Sequence, residues 1–132
     1  MTGLRRDLVI ITCATSAGIH GALAPAHFGE GTGGGTGFLA STVALAGLAV
    51  ALTLWPASPV PLAGAAITFV GLLAAYALAI TTGVPVLHPD AEPVDGLGLA
   101  TKAFEVVGLA TALNLLWRRP AMSLIHPKGI LR

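Results

Sequence analysis

The chain alternates between long apolar runs and short segments that are rich in polar residues, glycine or proline. Four runs stand out, over residues 8–25, 37–55, 60–82 and 97–117. Each is much longer than a typical strand of about 3–10 residues and lacks the two-residue alternation of a half-buried strand. Each also reaches the length of about 20 mostly apolar residues that a helix needs to cross a bilayer. We therefore predict an all-α integral membrane protein, with residues 1–132 forming a single domain of four transmembrane helices.

The segments between these runs contain residues that end helices. Glycine occupies five of the seven positions 31–37, and prolines punctuate residues 56–61 and 85–93. Both residue types are typical of turns and interrupt helices. We expect outer loops at residues 26–36 and 83–96, a tight turn between the second and third helices, and Asp95 as the N-cap of the fourth helix. Because short connections favour antiparallel neighbours, the predicted arrangement is an up-down four-helix bundle.

Basic residues flank the predicted membrane segments on one side only. They are Arg5, Arg6, Arg118 and Arg119, with Lys128 and Arg132 further along a basic tail at residues 118–132. The loops on the opposite side carry Glu30, Asp90, Glu92 and Asp95, and neither lysine nor arginine. Basic residues that flank transmembrane helices stay in the cytoplasm. We therefore expect a multi-pass protein of the cytoplasmic membrane with both termini in the cytoplasm, anchored at the inner interface by Trp55 and Trp117.

The composition narrows the class of protein further. Hydrophobic residues make up 55% of the chain and charged residues 10%, against about a quarter charged in typical soluble domains. The net charge of +1 comes without a basic patch interleaved with aromatic residues, so we do not expect nucleic-acid binding. The single cysteine, Cys13, excludes an internal disulfide and any motif built from a cysteine pair.

A different reading of the N-terminus is a cleavable signal peptide. Arg5 and Arg6, the apolar run and the segment Ala22-Leu23-Ala24 resemble such a signal with an Ala-x-Ala cleavage site. Pro25 would then be the first residue of the mature protein, which disfavours cleavage. A first transmembrane helix is the interpretation we favour.

Small residues spaced four apart recur in every predicted helix. The sets are Ala14, Gly18 and Ala22; Ala40 and Ala44; Gly64 and Thr68; Gly71 and Ala75; and Gly108 and Ala112. Lipid supplies no hydrophobic force between helices, so close packing depends on small residues of this kind. We interpret the sets as the contacts that hold the four helices together.

Three ionisable residues fall within the predicted membrane segments. They are His20 in the first helix and Lys102 and Glu105 in the fourth. At about 1.5 Å rise per residue, His20 and Lys102 lie at similar depths and Glu105 lies near the middle of the bilayer. One interpretation is an ion pair between Lys102 and Glu105, with His20 as a hydrogen-bonded packing residue. The other is a proton- or ion-handling site, because intramembrane acids and histidines often mark such pathways.

A second group of polar residues belongs to the two outer loops. It comprises His27, Glu30, His88, Asp90 and Glu92. Imidazole and carboxylate groups together suit Zn²⁺ or Cu²⁺. Their spacing matches no metal motif, however, and a solvated polar surface explains the same residues. Metal binding is therefore one hypothesis for this group and an acidic outer surface is the other.

The sequence contains no nucleophile-base arrangement or phosphate-binding loop that would indicate an enzyme. Our leading hypothesis is a non-enzymatic accessory or interaction subunit that is surrounded by the lipid bilayer and associates with itself or with a larger membrane complex. The alternative is a small carrier or channel for protons or divalent cations that uses His20, Lys102 and Glu105. A metal-binding outer face is a further alternative.

Overall fold

The computed structural model describes residues 2–84 and 90–118, which contain four α-helices and no strand. The helices are α1 (Thr2–Glu30), α2 (Thr32–Leu54), α3 (Val60–Thr81) and α4 (Gly96–Trp117). This confirms the predicted all-α chain with four long helices. All four are long and apolar enough to cross a membrane, because even a helix of 22 residues extends over about 33 Å.

The predicted loop at residues 26–36 is wrong in its extent. α1 continues through Pro25, and only Gly31 separates it from α2. The glycines that suggested a flexible loop instead allow the two helices to approach closely. A Cβ atom at Gly35 would overlap the ring of Phe28. The contact between helices outweighs the low helix propensity of glycine, which disfavours each glycine by about 1 kcal/mol relative to alanine.

α1 begins at Thr2, six residues before the predicted run at 8–25, whereas the end of α2 and both ends of α3 and α4 agree with the sequence within one residue. α3 and α4 correspond to the predicted runs at 60–82 and 97–117. The Asp95 carboxylate accepts a hydrogen bond from the backbone N–H of Gly98 at 2.8 Å, which confirms Asp95 as the N-cap of α4. The predicted outer loop at residues 83–96 lies partly outside the described residues.

The helices pack in a ring of neighbours: α1 contacts α2 and α4, and α3 contacts α2 and α4. The buried apolar side chains between them include Val9, Cys13, Leu45, Leu62, Phe69 and Ala112. Gly108 of α4 lies at a point where three helices meet. A Cβ atom there would lie 2.6 Å from Phe69 Cε2 of α3 and 2.6 Å from Thr12 Oγ1 of α1.

The outward faces are also apolar. Large aliphatic side chains with high exposure occur on every helix, among them Ile11, Val43, Val50, Val60, Ile67 and Val106. In the most apolar 18 residues of α2, only 17% are buried, and the same holds for α3. A soluble domain seldom exposes continuous apolar surface of this kind. The outward faces therefore suit a hydrocarbon environment.

The sets of small residues divide into inward and outward ones. Gly108 and Ala112 are buried, and Gly64 lies close to Leu48 of α2. The sets Ala14–Gly18–Ala22, Ala40–Ala44 and Gly71–Ala75 are exposed instead. The prediction that all these sets pack inside the molecule is therefore wrong for three of them. In α1, Val9, Cys13, Ser16 and His20 form the buried face, which leaves the small residues pointing outward.

Charged residues separate between the two ends of the helices. The basic end carries Arg5, Arg6 and Arg118 together with one acidic residue, Asp7, and the acidic end carries Glu30, Glu92 and Asp95. The predicted anchors Trp55 and Trp117 are both exposed at the basic end, and Arg119 lies outside the described residues.

Two arginines of α1 connect the helices at the basic end. Arg5 donates a hydrogen bond of 2.8 Å to the side-chain oxygen of Asn114 in α4. Arg6 donates to the backbone carbonyls of Leu52, Trp55 and Pro56, at and just beyond the end of α2. These arginines therefore satisfy polar groups of other helices in addition to their predicted role in topology.

Candidate functional site

Glu105 is the centre of a buried polar cluster between α1 and α4. Its side chain is fully buried, and each of its two carboxylate oxygens has a partner. The Ser16 hydroxyl of α1 donates to Oε1 at 2.8 Å. The Lys102 ammonium, one turn earlier in α4, donates to Oε2 at 2.7 Å. The carboxylate is thus held by a charge-assisted bond within its own helix and by a hydroxyl from the neighbouring helix.

His20 lies beside this ion pair. Its Nδ1 donates to the backbone carbonyl of Ser16 at 2.8 Å, so Nε2 is the nitrogen that faces Glu105. The distance from Nε2 to Glu105 Oε1 is 4.0 Å, which is too long for a hydrogen bond. The structure therefore brings His20, Lys102 and Glu105 together, with Ser16 as the residue that connects the two helices.

Local sequence spacing explains how each side chain reaches the cluster. Lys102 and Glu105 are three residues apart, and residues at this spacing are neighbours on a helix surface. Ser16 and His20 are four residues apart on the buried face of α1. Contact between this face and α4 then places the two pairs opposite each other.

The region between this cluster and the basic end is apolar. The Thr12 hydroxyl donates to the Val9 carbonyl of its own helix at 2.9 Å, and Cys13 lies within the hydrophobic core. Within residues 2–84 and 90–118, no Asp, Glu, Lys, Arg or His side chain is buried between Glu105 and the basic end. The buried face of α1 therefore gives no charged route toward that end in this part of the chain.

A cavity of about 470 Å³ extends from the cluster toward the acidic end. His20 and Lys102 line its deepest part, and Glu30, Glu92 and Asp95 line the part nearest the acidic end. Its walls are mostly apolar and include Leu23, Phe38, Leu72, Tyr76 and Ala79. All four helices contribute to these walls, so the cavity depends on their packing.

Aromatic rings connect the two histidines of α1. The Phe38 ring of α2 stacks on the His27 ring with a centroid distance of 3.9 Å. The same phenylalanine contacts the His20 ring at 5.3 Å. His27 Nδ1 lies 3.0 Å from Glu30 Oε2. Of the residues proposed for metal binding, His27 and Glu30 thus form one close pair.

The remaining proposed metal ligands do not complete a site in the described structure. Asp90 is exposed and Glu92 is half-buried, and His88 lies outside the described residues. Among the described residues, no group of three or more His, Cys, Asp or Glu side chains has a geometry that would hold a metal ion. The Zn²⁺ or Cu²⁺ site therefore stays a prediction.

Phe38 and Tyr76 are site residues that the sequence does not single out. The Lys102 ammonium lies 5.5 Å from the centroid of the Tyr76 ring. The Tyr76 hydroxyl is buried and has no hydrogen-bond partner among the described residues. The only feature of the sequence that could have indicated Tyr76 as a site residue is that it is the single tyrosine, in a helix without charged residues. An interfacial anchor would explain that feature equally well.

Comparison with known proteins gives no match to a family model, to a curated protein or to a solved structure.

Proposed function

We propose that the chain is a multi-pass protein of the cytoplasmic membrane, folded as an up-down bundle with both termini in the cytoplasm. Three observations support this proposal: four helices of sufficient length, apolar outward faces, and separation of basic from acidic residues between the two ends. The basic end would face the cytoplasm, in accordance with the positive-inside rule.

Within the membrane, we propose that the protein acts as a non-enzymatic interaction subunit that associates with itself or with a larger complex. The observation that carries this proposal is the exposed face formed by Ala14, Gly18 and Ala22 on α1. A Cβ atom at Gly18 would meet nothing within 4 Å, so none of the described helices α2, α3 and α4 packs against this point of the face. A second helix can approach such a face closely and gain packing contacts that lipid does not supply.

In this proposal the buried cluster has a structural role. Ser16 and Lys102 together satisfy both oxygens of Glu105, and the hydroxyl bond joins α1 to α4. A paired charge of this kind is compatible with burial and fixes the register of two helices. No substrate is required to explain it.

The association is tested with Gly18→Leu in the full-length protein in mild detergent. A leucine at this position fits within the single chain but separates any helix packed against the face, so we expect a smaller oligomeric species by native mass spectrometry and loss of cross-linking. Ala77→Leu, on an exposed part of α3, is the matched control. A wild-type protein that is strictly monomeric and captures no partner would refute the proposal.

A second candidate function is a carrier for protons or divalent cations. It is favoured by the cavity that joins the acidic end to His20 and Lys102, next to the buried carboxylate of Glu105. Because the core toward the basic end is apolar, transport would require the helices to move rather than an open pore.

Flux into proteoliposomes distinguishes the two candidates. If the protein is a carrier, the wild type should show proton or divalent-cation flux. This flux should fall at least tenfold in Glu105→Gln and in His20→Ala, which corresponds to a loss of about 1.4 kcal/mol of interaction free energy. Asp7→Asn, which removes an exposed carboxylate near the basic end, should keep wild-type flux. Absence of flux in the wild type rejects the carrier and leaves the interaction subunit.

A further inference from the structure

The cavity at the acidic end has features of a small-molecule binding site, which goes beyond both proposed functions. We propose that it binds a lipophilic amine, a molecule with an apolar body and a protonated nitrogen. The inference rests on the size and walls of the cavity and on the charges around it. It is independent of the exposed Ala14–Gly18–Ala22 face.

The volume and walls of the cavity suit an apolar body. Small-molecule sites typically enclose about 300–1,000 Å³ and are lined mainly by apolar and aromatic side chains with a few polar groups. The cavity of about 470 Å³ lies within that range, and its walls include Leu23, Leu72 and Phe38. Burial of an apolar ligand against these side chains is favourable at about 25 cal/mol per Å².

The charges around the cavity favour a cation. Three acidic residues line it, Glu30, Glu92 and Asp95. Lys102 is the only Lys or Arg among the described lining residues, and its ammonium is bonded to the buried Glu105. Counting histidines as neutral, the lining carries two more negative than positive charges. Attraction between unit charges is stronger near a protein and membrane interior than in bulk water.

The arrangement also specifies how the amine lies. Lys102 at the deep end repels a second cation, so the protonated nitrogen is directed toward the carboxylates at the acidic end. The rings of Phe38 and Tyr76 line the walls between and supply apolar aromatic surface for the body of the ligand.

The Tyr76 hydroxyl supplies a further polar contact. The hydroxyl and the Asp95 carboxylate both lie close to Gly98. A Cβ atom added at Gly98 would be 3.3 Å from the hydroxyl oxygen and 3.1 Å from Asp95 Oδ2. This hydroxyl is buried and has no partner among the described residues, so it can accept a hydrogen bond from the ammonium group once the Tyr76 side chain shifts to expose it.

The test uses three probes that share one apolar body: 4-phenylbutylamine, 4-phenylbutanol and 4-phenylbutanoate. Binding to the full-length protein in nanodiscs is measured by calorimetry, with empty nanodiscs of the same lipid as the reference for partitioning. We expect the amine to bind at least tenfold more tightly than the alcohol, equivalent to about 1.4 kcal/mol, and the carboxylate to bind most weakly.

Variants locate the bound amine. The triple variant Glu30→Gln, Glu92→Gln, Asp95→Asn should weaken amine binding about tenfold or more and leave the alcohol unchanged. Asparagine at position 95 keeps a side chain that caps a helix. Ala79→Phe should abolish binding of the amine and the alcohol because it fills the cavity. The matched controls are Asp7→Asn for charge and Ala77→Phe for bulk on the outward face of α3.

Several results would overturn the proposal. Equal affinity for the amine and the alcohol would show that the positive charge of the ligand does not contribute to binding. If 4-phenylbutanoate bound most tightly, Lys102 would be the residue that recognises the ligand. Amine binding that persists in Ala79→Phe would place the ligand elsewhere. If circular dichroism shows that the triple variant does not fold, the three single variants are measured instead. The role of the carboxylates is refuted if none of the single variants reduces the preference for the amine over the alcohol.

Discussion

The ion pair between Lys102 and Glu105 shows how a long apolar helix can bury a carboxylate. Ser16 and Lys102 each donate to one oxygen of Glu105, so neither oxygen is buried without a hydrogen-bond partner. This arrangement is stable only while both charges are present. Removal of one partner leaves the other charge buried and uncompensated, whereas removal of both leaves mainly a packing defect.

A double-mutant cycle at this pair tests that account. We expect Glu105→Gln to lower the free energy of unfolding by about 3 kcal/mol, because Lys102 loses its counter-charge. Lys102→Met should have a comparable effect, since it leaves the buried carboxylate with only the Ser16 hydroxyl. The double variant should recover most of the loss. Reversible denaturation in detergent, followed by circular dichroism, measures all three, with Asp7→Asn as a control. A double variant as unstable as the sum of the single ones would mean that the two residues are not coupled.

At the residue scale, the sequence predicts only part of the site. The spacing of Lys102 and Glu105 and the depth of His20 follow from helix geometry, so their proximity could be anticipated. The bond from Ser16 to Glu105 joins residues of different helices and depends on how α1 faces α4. Phe38 and Tyr76 enter the cavity for the same reason: their positions are set by the packing of α2 and α3, which no local pattern specifies.

At the scale of the helices, glycines have different roles at positions that look alike in the sequence. Gly108 lies where Phe69 and Thr12 leave no room for a side chain, while a Cβ atom at Gly47 would meet nothing within 4 Å. The first glycine is required by contact between helices. The second only lowers helix propensity.

This difference predicts opposite effects of the same substitution. Gly108→Ala should lower the free energy of unfolding by about 1–3 kcal/mol, because the added methyl group displaces Phe69 or Thr12. Gly47→Ala should raise it by up to about 1 kcal/mol through better helix propensity. Parallel denaturation of both variants in the same detergent makes the comparison. Equal effects at the two positions would show that α1, α3 and α4 do not meet closely at Gly108.

The ends of helices were harder to predict than their centres. The glycine-rich segment at 31–37 has the composition of a loop, and its glycines instead allow α1 and α2 to pack closely, as Gly35 does against Phe28. The outward direction of Ala14, Gly18 and Ala22 could not be anticipated either. Small residues at this spacing indicate that another helix can pack closely against them. They do not indicate which helix does so, because that depends on which face of α1 carries Ser16 and His20 and is turned toward α4.

For the molecule as a whole, two properties support the proposed arrangement in a membrane. The outward faces are apolar, and the charged residues divide between a basic and an acidic end. The length of the helices and the distribution of charge are properties of the sequence alone, which is why the number of helices could be predicted. The cavity between them could not, because its walls come from all four.

Labelling of single cysteines in intact cells tests this orientation. Cys13, the only native cysteine, is fully buried and should react little with a membrane-impermeant maleimide. Ala91→Cys lies on the acidic side and Ala57→Cys between α2 and α3 on the basic side, and both positions are exposed. If the acidic end faces outward, the first should be labelled in intact cells and the second only after the cells are lysed. The reverse pattern would invert the orientation. Labelling of both in intact cells would refute a membrane barrier between the two ends and with it the proposed transmembrane arrangement.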